Sequence, residues 1–107
     1  DLANALELTQ NSLTINPNTI EATNNLAMLL AKSGQLVSAT SLWRRAFDLN
    51  EDNEQLGINL ALAECMLNKR DAAVQVLERV LVYSPDSQIA RRRIKTTWNN
   101  QTACSGQ

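Results

Sequence analysis

Apolar residues recur at three- and four-residue steps along most of the chain, which is the spacing of one helix face. One segment carries this pattern at Ala22, Leu26, Leu29 and Leu30, and the next repeats it at Leu36, Ala39, Trp43, Ala46 and Phe47. The intervening residues 32–35 include Gly34, which can adopt the left-handed conformation that closes a helix. The pattern predicts helices near 2–15, 19–32, 36–49, 53–66, 70–83 and 87–98, with Trp43 buried.

The pattern repeats after 34 residues, and no insertion is needed to keep it aligned. Small and apolar residues coincide in columns: Leu26, Leu60 and Ile94; Ala5, Ala39 and Ala73; Leu13, Phe47 and Leu81. Asn25 aligns with Asn59, and Asn68 stands where Gly34 stood one period earlier. Asparagine is the next most suitable residue at a left-handed helix end. Each period therefore predicts a helix, a tight turn and a second helix.

Helix-start signals recur with the same period. Asn18, Asp52 and Asp86 are residue types that cap helix N-termini, and each precedes a predicted helix. Glu21 and Gln55 follow the first two caps by three residues, which is the spacing of a capping box.

A 34-residue period of paired helices resembles the tetratricopeptide repeat (TPR). The matching residues are Leu26-Ala27, Leu60-Ala61, Gly34, Ala39, Ala73, Trp43, Pro17 and Pro85. Thr23 and Gly57 depart from the family pattern, which has an aromatic residue there. HEAT and armadillo repeats are longer, at about 40–47 residues, whereas the slightly longer pentatricopeptide repeat, which reads RNA, remains a minor alternative.

The resemblance implies an all-α, right-handed solenoid of antiparallel helix pairs with about six helices. The expected repeat domain covers 1–98, with a half unit 1–19, full units 20–53 and 54–87, and a capping helix 88–98. Residues 99–107 are predicted to be a polar tail.

In this family the first helices of successive units line a concave groove that binds a peptide or a partner helix. The resemblance places these groove candidates by spacing: Asn24, Asn25, Met28, Lys32, Asn59, Leu62, Met66, Arg92 and Arg93. Simpler interpretations stay open. Met28, Leu62 and Met66 are expected to pack between helices. Asn25 and Asn59 could have a purely structural role, in which they cap or bridge adjacent helices. The run Arg91–Arg93 with Lys95 is expected to face solvent.

One TPR subclass clamps a C-terminal carboxylate through five groove positions. Asn59 and Arg93 match two of them, whereas Asn24, Met28 and Ile89 occupy the others. We therefore do not expect a chaperone-tail clamp, although a single carboxylate contact at Arg93 stays open.

Composition offers little for other functions. The chain has a net charge of −1 and no histidine, and it has no phosphate-binding loop or nucleophile motif. We expect no enzymatic activity, no catalytic or metal-binding residues and no cofactor. Cys65 and Cys104 are interpreted as a buried thiol and a tail thiol. Neither membrane insertion nor nucleic-acid binding is expected.

Two functions remain open at this stage. The chain could be a protein-interaction scaffold, or a structural C-terminal appendage of a longer solenoid or enzyme that binds no ligand of its own. The predicted helix 2–15 aligns with the second helix of a unit whose first helix is missing. Because part of its apolar face would lack a partner, we expect weak self-association through this edge.

Overall fold

The computed structural model describes residues 20–99, with side chains described as far as residue 95. Five helices make up this part of the chain: α1 Ile20–Lys32, α2 Leu36–Leu49, α3 Glu54–Met66, α4 Arg70–Tyr83 and α5 Gln88–Asn99. These residues include no strand, so the all-α prediction is confirmed. The predicted helix 2–15, the capping residue Asn18, the self-associating edge and most of the tail lie outside the described residues.

Helix boundaries follow the sequence period. The helices α1, α3 and α5 begin at Ile20, Glu54 and Gln88, which are 34 residues apart, and α2 and α4 begin at Leu36 and Arg70. Corresponding helices also have equal lengths, because α1 and α3 each contain 13 residues and α2 and α4 each contain 14. The same local signals therefore place the helix ends in both periods.

The turn between α1 and α2 ends the first helix with a left-handed residue. Gly34 has a φ of 85°. The amide of Gln35 donates to the carbonyl of Leu30 at 2.8 Å, and the amide of Gly34 donates to the carbonyl of Ala31 at 3.2 Å. These two bonds define a Schellman motif, which satisfies carbonyls that the helix end leaves without partners.

Asn68 closes α3 in the same way. Its φ is 66°, the only positive value among the described residues other than glycine. The amide of Lys69 donates to the carbonyl of Glu64, and the amide of Asn68 donates to the carbonyl of Cys65, both at 2.9 Å. The predicted equivalence of Gly34 and Asn68 is confirmed.

Replacing Asn68 by alanine should destabilise the protein by about 1–2 kcal/mol, because a β-carbon without a polar group is disfavoured in the left-handed region. The matched variant Asn68→Gly should lose no stability, since glycine adopts this conformation without strain. Urea unfolding followed by circular dichroism measures both. Equal stability of the two variants would contradict the assigned role of the turn.

The N-caps of α3 and α5 lie one residue later than the sequence predicted. Asn53, not Asp52, caps α3, and its Oδ1 accepts from the amide of Leu56 at 3.0 Å. At α5 the Oγ of Ser87, not Asp86, accepts from the amide of Ala90 at 3.1 Å. With Asn53 as the cap, Gln55 is too early in the helix to complete a capping box. Each of these helix starts has two adjacent residues that could act as the cap. The conformation of the backbone that enters the helix decides which of the two does so.

The chain divides into two compact units, Asp1–Ala46 and Phe47–Gln107, with the division inside the last turn of α2. In the first unit the buried residues include Leu26, Ala27, Leu30, Ala39, Leu42 and Trp43. Trp43 is only 5% exposed, and its indole Nε1 donates to Oδ1 of Asn24 on α1 at 2.7 Å. The predicted burial of Trp43 is confirmed.

In the second unit α4 packs against both α3 and α5. Gly57 lies in the first turn of α3, where the backbone is covered by the ring of Phe47 and by Val80. A β-carbon built on Gly57 would lie 2.9 Å from Cε1 of Phe47 and closer still to Cγ2 of Val80. The helices can therefore pack closely at this point only because Gly57 has no side chain. The aromatic ring at this position comes from Phe47.

Candidate functional site

An outward-facing row on α3 contains most of the second unit's groove candidates. Its members are spaced to share one helix face, and we call them the α3 stripe: Gln55, Asn59, Leu62 and Met66. Asn59 and Leu62 are half-buried, whereas Met66 is 46% exposed. The Nε2 of Gln55 donates to Oδ1 of Asn59 at 3.0 Å. The stripe thus has an amide end and an apolar end.

Gln55 was not among the predicted groove candidates, because its spacing from Asp52 suggested a capping box. The signal that could have identified it is the four-residue spacing to Asn59, which places both amides on one face. With the hydrogen bond in place, Gln55 orients the Asn59 side chain. The Asn59 Nδ2 group is a donor suited to a peptide carbonyl.

A corresponding row on α1 contains Asn25, Met28 and Lys32, each one period before Asn59, Leu62 and Met66. All three α1 side chains are exposed. This row belongs to the first compact unit and is described by itself.

Asn24 has a structural role in the first unit. Its Oδ1 accepts the indole hydrogen of Trp43, and its Nδ2 lies 3.9 Å from the sulfur of Met28. The side chain thereby links α1 to α2. Of the α1 candidates, Asn24 is the one whose amide oxygen is committed to the fold.

The methionines differ from their predicted packing role. Met28 is 41% exposed and Met66 is 46% exposed, so the expectation that both pack between helices is wrong. A 13-residue helix that uses Leu26, Ala27 and Leu30 for its core has its remaining face directed outward. Exposed methionine is a flexible, polarisable contact surface that adapts to varied apolar partners.

The basic residues of α5 take different positions. Arg92 is exposed and Arg93 is half-buried. Arg91 is exposed as predicted, but its Nε and Nη2 donate to the carbonyl of Pro85 at 3.0 and 2.7 Å. Arg91 therefore anchors the turn before α5. Arg92 and Arg93 belong to the same compact unit as the α3 stripe, in which α3 contacts α5.

A charged cluster that the sequence did not predict joins the end of α2 to α4. The Nη2 of Arg79 donates to Oε1 of Glu51 at 2.5 Å and to Oδ1 of Asp48 at 3.0 Å. Its guanidinium also lies 4.7 Å from the centre of the Phe47 ring. Partial burial alone would lower the pKa of Arg79, but the hydrogen bonds to Glu51 and Asp48 and their negative charges outweigh it and raise the pKa. Arg79 is thus permanently charged, and it links the end of α2 to α4 over the core.

No group of three or more His, Cys, Asp or Glu side chains in residues 20–95 is arranged to hold a metal ion. None of the described helices is both long enough and apolar enough to cross a bilayer.

Cys65 differs from its predicted state. It is buried as expected, at 3% exposure, but it is disulfide-bonded rather than a free thiol. The only other cysteine of the sequence is Cys104, which lies outside the described residues.

Comparisons with known proteins add no identification, because neither the protein-family models nor the curated proteins contain a match to this chain.

Proposed function

We propose that this chain is a tetratricopeptide-like scaffold module, a right-handed solenoid of helix pairs that binds a peptide or a partner helix. The observation that carries the proposal is the recurrence of helix starts every 34 residues, with the same left-handed closure at Gly34 and Asn68. Such a period is typical of stacked helix-pair repeats. In these arrays the exposed faces of the first helices are the usual ligand-binding surface, and no catalytic role is proposed.

The ligand contacts proposed for the second unit follow from side-chain chemistry. Asn59, held by Gln55, would hydrogen-bond a peptide backbone. Leu62 and Met66 would cover an apolar side chain. Arg93 would form a charge-assisted hydrogen bond with a carboxylate. In the first unit, Asn25, Met28 and Lys32 would offer an amide, a thioether and an ammonium group in the same order along α1.

Peptides selected from a phage-displayed random library on the immobilised chain should lose affinity when either polar contact is removed. We expect Arg93→Ala to weaken binding by about 1.5–3 kcal/mol, the range for hydrogen bonds to charged groups, and Asn59→Ala by about 1 kcal/mol. Isothermal titration calorimetry with the selected peptide measures both.

The matched controls are Gln75→Ala and Glu78→Ala, because both residues are exposed on α4, away from the proposed contacts. These variants should bind as tightly as the parent chain. Failure to select any peptide would favour the structural appendage. Loss of binding in the α4 variants, with Asn59→Ala and Arg93→Ala unaffected, would place the ligand on another face.

A further inference from the structure

The outer side of α5 carries a row of one apolar and two basic side chains. Ile89, Arg92 and Lys95 follow one another at three-residue steps, on the side of the helix that faces away from the fully buried Ala90. Ile89 is 51% exposed, and Arg92 and Lys95 are also exposed. We call these three residues the α5 ridge. The helix that bears the ridge has four basic residues and no acidic one.

An apolar surface with acidic neighbours lies in the same compact unit, where the end of α2 meets the end of α4. Leu49 is 57% exposed and Tyr83 is 55% exposed, so both side chains present apolar area to solvent. Between them lies an open depression of about 370 Å³. We call it the Tyr83 depression, and its lining residues are Asp48, Leu49, Asn50, Glu51, Asp52 and Tyr83.

The Tyr83 depression keeps a net negative charge. Arg79 donates to two of its three carboxylates, those of Glu51 and Asp48. The phenol of Tyr83 donates weakly to the other oxygen of Glu51, at 3.4 Å. The third carboxylate, that of Asp52, is exposed. One guanidinium against three carboxylates leaves a charge of −2 beside the exposed apolar side chains. Because each carboxylate oxygen can accept more than one hydrogen bond, Arg79 leaves acceptor capacity for a second cation.

We propose that the α5 ridge of one copy of this chain docks in the Tyr83 depression of a second copy. The ridge carries two positive charges and the depression a net charge of −2, so the two surfaces are complementary. Ile89 packs on Leu49 and Tyr83, while Arg92 and Lys95 reach the carboxylates. The ring of Tyr83 adds an aromatic face to which a cation is attracted.

The contact is heterologous, since the ridge and the depression consist of different residues. After one contact forms, each copy still has one surface that can accept a further copy, so association proceeds head to tail. One helix face in a shallow depression is a small interface, typical of weak and transient association. The contact uses neither Asn59 nor Arg93, so it does not depend on the proposed peptide binding.

Sedimentation equilibrium of the full chain at low salt, at concentrations up to about 1 mM, measures the association. Added salt should weaken it, because salt screens the attraction between exposed charges. Reversing one charge, by Asp52→Lys or Lys95→Glu, should weaken it by at least about tenfold, since close charge pairs at protein interfaces contribute that much or more. A monomeric parent chain at low salt, or association that salt does not change, would overturn the proposal.

The matched controls are Asp71→Lys and Lys69→Glu, which make the same charge changes elsewhere. Both residues are exposed at the start of α4, and Asp71 lies twelve residues before Tyr83, or about 18 Å along the helix. These controls should associate as the parent chain does, and circular dichroism checks that all four variants are folded. Equal weakening by the controls would show a general effect of net charge and not a contact between the two surfaces.

A mixture of the Asp52→Lys and Lys95→Glu chains tests the heterologous pairing directly. Alone, each variant should stay monomeric, because every contact it could form uses one altered surface. In the mixture, the intact ridge of the first variant can dock in the intact depression of the second, so association should return. A mixture that stays monomeric would contradict this pairing. Association that persists in both single variants would also contradict it, and would favour another interface such as the predicted helix 2–15.

Discussion

Replacing Trp43 by alanine should destabilise the protein by about 3–5 kcal/mol, the usual cost of removing a large aromatic side chain from a core. Trp43 is 5% exposed, and its indole donates to Asn24 at 2.7 Å. The substitution therefore leaves a cavity and also removes the bond partner of the half-buried Asn24 amide. An unpaired polar group of this kind adds a desolvation cost of its own.

Urea unfolding followed by circular dichroism measures this loss without depending on tryptophan fluorescence. Arg45→Ala is the matched control, since Arg45 is exposed on the same helix, and it should change stability by no more than about 0.5 kcal/mol. A second measurement uses Trp98→Phe, which leaves Trp43 as the only tryptophan. Free quenching of its fluorescence by iodide would contradict the buried position.

Replacing Gly57 by alanine should also destabilise the protein, although alanine is the better helix former. The gain in helix propensity is about 1 kcal/mol. The new methyl group would meet Phe47 at 2.9 Å and Val80 more closely still, and overpacking of this kind costs about 1–3 kcal/mol. Phe47 is fully buried and held under Arg79, so it has little freedom to retreat. We expect a net loss of about 1–2 kcal/mol.

A double-mutant cycle with Val80→Ala isolates the steric conflict. Val80→Ala removes the γ-carbons that oppose the new methyl group, so Gly57→Ala should cost less in that background, with a coupling of at least about 0.5 kcal/mol. Gln55→Ala tests a nearby exposed position of α3 and should change stability only slightly. If Gly57→Ala instead stabilises the protein by the propensity difference, the close approach at Gly57 is wrong.

Local signals account for what could be predicted from the chain. The five helices of the described residues were placed to within one residue, because apolar spacing and turn residues act over a few positions. Gly34 and Asn68 were identified as equivalent helix ends because few residues adopt the left-handed conformation there. The capping residues were displaced by one position, since Asp52-Asn53 and Asp86-Ser87 each offer two suitable side chains. Only the backbone that enters the helix decides between them.

The candidate site could be predicted only in part. Spacing placed Asn59, Leu62 and Met66 on one face, but the exposure of Met66 and Met28 could not be read from their apolar character. The hydrogen bond between Asn24 and Trp43 joins residues that are 19 positions apart in the sequence. Arg91 likewise donates a hydrogen bond to the carbonyl of Pro85, so it differs from its two neighbours in a run of three arginines that looks uniform in the sequence.

By itself the sequence determined the helix order, the 34-residue period and the residues that end the helices, because these depend on neighbours along the chain. Only the tertiary structure decided that close packing requires glycine at position 57. It also decided that Arg91 binds the carbonyl of Pro85 and that Arg79 pairs with Glu51, 28 residues away. It also decided that Cys65 is disulfide-bonded. These features depend on which side chains meet after the helices pack, and the free energy of such contacts has no signature in local spacing.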